Sequence, residues 1–199
     1  MSNPIISRPP IPPQAYQKIM VFVDGSNLFH RFKEIQCNPV PLITIVQYSL
    51  FKLKEYYRRA SPMLWGVSVY TVKNKYDELL KTHGDDFFKD TPVVFGHEVK
   101  HSGTKTEKGV DAQLVADIIY HSARRNCEQI MLIANDADYC YALRRVRDFG
   151  CKTSLVALIQ EPTDYLKGAC DEYLFIWEAI FANELKRKGN TLPVFDTNS

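Results

Sequence analysis

Six short apolar runs, each of strand length, alternate with segments of helical periodicity along this chain of 199 residues. The runs are KIMVFV (18–23), MLWGVSVYTV (63–72), TPVVFGHEV (91–99), EQIMLIAN (128–135), CKTSLVAL (151–158) and EYLFIW (172–177). Helical spacing is expected over 27–35, 42–59, 74–89, 109–126, 137–150, 163–170 and 178–187. Alternation of this kind implies an α/β fold. Its central, mostly parallel sheet is flanked by helices in three layers, and right-handed crossovers connect the strands. Residues 1–17 hold five prolines and are expected to form an extended tail. One domain then covers 18–187, and 188–199 form a C-terminal tail.

Finer expectations follow from local signals. Ser26 is placed to cap the first helix. Gly84 weakens the helix over 74–89. KHSGTKTEK (100–108) reads as a polar loop.

A strand that ends in a carboxylate is the next constraint. VFVDGSN (21–27) runs apolar residues straight into Asp24, and IMLIANDADY (130–139) runs into Asp136 and Asp138. EKGVDAQLVAD (107–117) adds Asp111 in the first turn of a helix. In a parallel sheet the strand ends share one edge, where open α/β folds place their ligands. Each aspartate also has an ordinary explanation, as a turn residue, a cap or a partner of the helix dipole. All of them together at one edge are harder to explain that way. Clustered carboxylates repel, so the set calls for protons or a cation. Oxygen donors without cysteine or imidazole suit Mg²⁺ or Mn²⁺. Asp117 lies six residues beyond Asp111, about 240° around a helix, and so points elsewhere, toward a ligand or a lysine.

VFVDGSN, KGVDAQLVADI and ANDADYCYALRRVRDFG, with the trailing LKGACDEYLFI, resemble the signature blocks of the NYN domain, the LabA-like branch of the PIN-like nuclease superfamily. The resemblance spans about 18–177. It implies a PIN-like, Rossmann-like fold and a metal-dependent ribonuclease. It carries catalytic and metal-holding roles onto Asp24, Asp111, Asp136 and Asp138, and suggests Asn27 as a polar group orienting the site; Ser26 and Asp117 stand beside these as supporting residues by position. Two positions depart from the family pattern. Ala134-Asn135 stands where Ser-Gly is usual, and Tyr139 where Phe is usual.

For a nucleic-acid partner, Lys100, Lys105 and Lys108 lie just upstream of Asp111 and are expected to grip phosphates of single-stranded or loop RNA. YYRR (56–59), KNKY (73–76) and RRVR (144–147) also mix charge with rings or form stripes, but a solvated helix face explains them more simply. A catalytically weak RNA- or protein-binding module on the same fold is the alternative function.

Other classes lack support. HEVKH (97–101) matches a zinc-protease pattern that requires a helix, and Pro92, Gly96 and Gly103 crowd it. A haloacid-dehalogenase-type phosphatase needs a second Asp where Ser26 stands. Neither a dinucleotide nor a P-loop glycine motif is present. The five cysteines (37, 127, 140, 151 and 170) form no C-x-x-C pair, which argues for a reducing compartment. Neither a leader nor a membrane-length apolar window is seen, so the expectation is a cytoplasmic protein with no membrane partner. A homodimer is allowed. The formal net charge of +2 is too small to identify a partner by itself.

Overall fold

The computed structural model describes residues 17–33, 41–57, 62–101, 104–158 and 160–176. The expected N-terminal tail (all but residue 17), the helix over 178–187 and the C-terminal tail lie outside the described residues. In chain order the elements are β1 (Gln17–Asp24), α1 (Gly25–Lys33), α2 (Leu42–Tyr57), β2 (Pro62–Thr71), α3 (Lys73–His83), β3 (Val93–Phe95), β4 (His97–His101), β5 (Thr104–Lys108), α4 (Val110–Ala123), β6 (Gln129–Ile133), α5 (Cys140–Asp148), β7 (Lys152–Ala157), α6 (Asp164–Lys167) and β8 (Glu172–Phe175).

The main sheet has the order β3-β2-β1-β6-β7-β8, and each neighbouring pair is parallel. The central strands are apolar on both faces because both faces are covered. Val21 and Val23 of β1 pack with Leu28, Phe32, Ile45 and Leu79 from α1, α2 and α3. Phe22, one residue out of phase, packs on the other side with Leu114 and Ile118 of α4, Leu143 of α5 and Leu166 of α6. The result is three layers, helix on sheet on helix, as the alternation requires.

The chain adds strands outward from β1 through β2 to β3, then returns to build β6, β7 and β8 on the far side. Strand order therefore reverses between β1 and β6. At such a switch point the flanking connections leave to opposite faces and open a crevice at the carboxyl ends of the strands. Gly25 lets α1 turn away from β1 hard against β2. A Cβ there would lie 2.9 Å from Thr71 Cβ and 3.0 Å from the Tyr70 carbonyl oxygen.

Several expectations need correction. Residues 100–108 are not a loop: β4 and β5 form an antiparallel hairpin, with His97 opposite Lys108 and Lys100 opposite Lys105. The run over 91–99 is split at Gly96, whose N–H still reaches the Thr71 carbonyl at 2.9 Å before the chain leaves the sheet. A side chain at Gly96 would collide with Val110, its Cβ lying 2.6 Å from Val110 Cγ2. The helix expected over 74–89 stops at His83, because Gly84 adopts φ +93°, and a 3₁₀ turn follows over Asp85–Phe88. HEVKH is strand β4, so it offers no helical face for two histidines.

Candidate functional site

Asp24 ends β1 and is only 4% exposed. Its Oδ1 accepts the Asn27 N–H at 2.8 Å, so the aspartate caps α1. Ser26 is therefore not the cap. Its hydroxyl points instead to Glu107 Oε2 on β5, at 2.7 Å.

Asp136 follows β6, across the switch point from Asp24. It caps a 3₁₀ turn over Ala137–Tyr139, its Oδ1 accepting the Asp138 N–H at 2.9 Å. Asp138 is exposed in that turn. Asp111 stands exposed in the first turn of α4, which Gly109 opens at φ +85°.

Tyr139 joins these elements. Its hydroxyl lies 2.8 Å from Asp24 Oδ2 and 3.0 Å from Asp111 Oδ1. Burial is the chief reason the Asp24 carboxyl is pushed up to about 6, and the charges on Asp111 and Asp136 add to it. The Asn27 N–H and the Tyr139 hydroxyl offset part of that rise. Burial, then the charges on Asp24 and Asp111, hold the Tyr139 phenol well above its usual range, so it keeps its proton. Asp24, Asp111 and Asp136 thus come from three elements into one electrostatic neighbourhood.

The supporting residues divide. The Asn27 side chain is half-buried beside Leu28, Arg31 and Ala134. Asp117 accepts the Tyr70 hydroxyl at 2.6 Å, which ties α4 to the end of β2. Lys108 is exposed on β5, directly before Gly109, and Lys100 and Lys105 are register partners on the same hairpin. The RRVR stripe is largely spent locally. Arg145 pairs with Asp148 at 2.9 Å, Arg147 with Asp171 at 3.0 Å, and Arg144 lies over the Tyr165 ring. Asn135 donates from its side chain to the Gln160 carbonyl at 3.0 Å, which anchors the strand-to-turn connection where the family pattern departs.

Three residues beside the site escaped the sequence reading. Lys75, 8% exposed, pairs with Glu107 and lies 2.9 Å from His30 Nε2. Burial and the Lys75 charge, in that order, lower the His30 pKa, so its ring nitrogen serves as an acceptor for the ammonium. Ser26, Glu107, Lys75 and His30 form a polar chain that pins the β4–β5 hairpin onto α1 and α3. The only signal in the sequence was the charge in KNKY and EKG. Ser26 and Glu107 are 81 positions apart, and local patterning does not report pairs at that separation.

The donors suit a divalent cation by their chemistry. They are carboxylate oxygens, and the buried one of them, Asp24, resists ionisation chiefly through its burial, with its anionic neighbours adding to the effect. Among the described residues, no three His, Cys, Asp or Glu side chains are already spaced to ligate one ion. The fit is one of charge and donor type rather than of finished coordination.

A doubly wound parallel sheet with aspartates from three elements gathered at its switch point defines a PIN-like α/β domain. The chain belongs to the NYN domain family, whose model matches residues 18–178, and with it to the PIN-like nuclease superfamily. Its fold is similar to the crystal structure of a protein of unknown function, VPA0982, from Vibrio parahaemolyticus RIMD 2210633. The TM-score is 0.58 at 13% identity, covering 82% of this chain and 95% of that one. At that identity the likeness speaks to fold alone. No curated protein matches the chain. Among the described residues, no helix is long and apolar enough to cross a membrane.

Proposed function

We propose that this domain is a metal-dependent endoribonuclease that hydrolyses phosphodiester bonds in single-stranded or loop RNA. One observation supports the reading: the Tyr139 hydroxyl lies within 3.0 Å of both Asp24 and Asp111, in a turn that Asp136 caps, so three elements bring aspartates to the switch point. Asp24, Asp111, Asp136 and Asp138 would hold Mg²⁺ or Mn²⁺. Such an ion, when bound, supplies Lewis acidity and makes water a stronger acid.

The chain's own residues prepare the rest. Tyr139 keeps its proton and spans Asp24 and Asp111. Asn27, whose backbone N–H bonds Asp24, would orient a ligand. The Ser26–Glu107 bond docks the β4–β5 hairpin at the site, and Lys100, Lys105 and Lys108 on that hairpin attract the phosphates. Asp117, through Tyr70, fixes the helix that carries Asp111.

The test compares wild type with Asp136→Asn. Loss of RNA turnover with RNA binding retained supports the nuclease. Wild-type protein that binds RNA but shows no turnover for the variant to lose leaves a binding module on the same fold.

A further inference from the structure

We infer that Tyr139 is a positioning residue whose hydroxyl clasps Asp24 and Asp111 from the core side and sets how tightly the acidic site takes a divalent cation. The inference rests on the nuclease reading above and deepens it.

Three observations support the clasp. First, the Tyr139 hydroxyl has a carboxylate oxygen on either side, at 2.8 and 3.0 Å, and its single proton is available to either of them. It therefore couples the end of β1 to the first turn of α4, two elements whose aspartates would otherwise move independently. Second, Tyr139 sits in the turn that Asp136 caps. One short segment thus supplies a carboxylate of its own and fixes the positions of two others. Third, the side chain arrives from the interior. Tyr139 is 1% exposed and packs with Val110, Leu114 and Leu143, whereas Asp111 is exposed. The hydroxyl meets both carboxylates from the interior and leaves the solvent side of Asp111 open to a ligand.

A phenylalanine would fill the same core space without the clasp. Asp24 would keep only the Asn27 N–H among its present hydrogen bonds, and Asp111 would lose its tie to the core. Removing a partner that orients a metal ligand typically costs about 10–100-fold in metal affinity.

The experiment is calorimetric titration of MnCl₂ into the full chain as wild type, Tyr139→Phe and Ser122→Ala. Ser122 is a buried hydroxyl on α4 that, among the described residues, bonds to Ile118 and Ile119 of its own helix, and its loss controls for general loosening of that layer. The expected result is a Mn²⁺ dissociation constant about 10–100-fold weaker for Tyr139→Phe and unchanged for Ser122→Ala. Thermal melts in EDTA show whether the variants fold. Equal or tighter binding by folded Tyr139→Phe overturns the clasp and leaves the nuclease reading intact. No Mn²⁺ binding by wild type overturns both. If Tyr139→Phe does not fold, 3-fluorotyrosine placed at position 139 keeps both hydrogen bonds. Its fluorine resonance should shift with Mg²⁺ and saturate, and a resonance indifferent to Mg²⁺ overturns the inference.

Discussion

Replacing Asp24 by asparagine should stabilise the fold at neutral pH while disabling the site. The carboxyl titrates near 6 in the folded chain against 3.8 as a free side chain. Folding therefore favours its protonated form. The stability that form contributes is fully present below 3.8 and is lost as pH rises through about 6. A difference of about 2 pKa units corresponds to roughly 3 kcal/mol. Asparagine never ionises, so it avoids this cost. Its Oδ1 can still accept the Asn27 N–H, and its amide can donate to the Tyr139 oxygen while that hydroxyl turns to Asp111. Urea unfolding in EDTA should thus show Asp24→Asn close to wild type near about pH 4 and roughly 3 kcal/mol more stable near about pH 8. For a chain of this size that gain is about 6–12 °C in Tm. A gain equal at both pH values, or a variant less stable than wild type at the higher pH, would refute the reasoning.

Further outcomes follow from the same geometry. Gly25→Ala should destabilise by about 1–3 kcal/mol, because its Cβ would meet Thr71 and the Tyr70 carbonyl at 2.9–3.0 Å, and thermal melts read this directly. Glu107→Ala leaves the buried Lys75 without its carboxylate and should cost up to about 3 kcal/mol. The double variant Lys75→Met/Glu107→Leu should recover most of that loss in the same denaturation assay. Changing Lys100, Lys105 and Lys108 to alanine should weaken RNA binding and flatten its log–log salt dependence by about 0.7 for each lysine that meets a phosphate. Titrations at several salt concentrations measure that slope.

The apolar runs made the sheet legible because a strand covered on both faces has little room for polar residues. Ile130, Met131, Leu132 and Ile133 in β6 are all buried. Asp24 and Asp136 were legible for the opposite reason: a carboxylate directly after such a run is costly to bury without a purpose. The β4–β5 hairpin was missed because its strands carry lysines, threonines and glutamates rather than a core stripe. The one local hint was Ser102-Gly103, a turn-favouring pair between the two polar runs. Tyr139 was read as a phenylalanine with one extra hydroxyl. That hydroxyl is within hydrogen-bond distance of two site carboxylates, a role set by folding across 115 positions to Asp24 and hidden from local spacing. The same holds for Lys75, which looked like surface charge and is buried against Glu107.

The most direct measurement of the central claim is cleavage by the wild-type chain of a structured RNA and a matching single-stranded DNA, with Mn²⁺, Mg²⁺ or EDTA. The account predicts RNA cut in its single-stranded regions with either metal and left intact in EDTA. RNA that stays whole under both metals, or is cut equally well in EDTA, would contradict it.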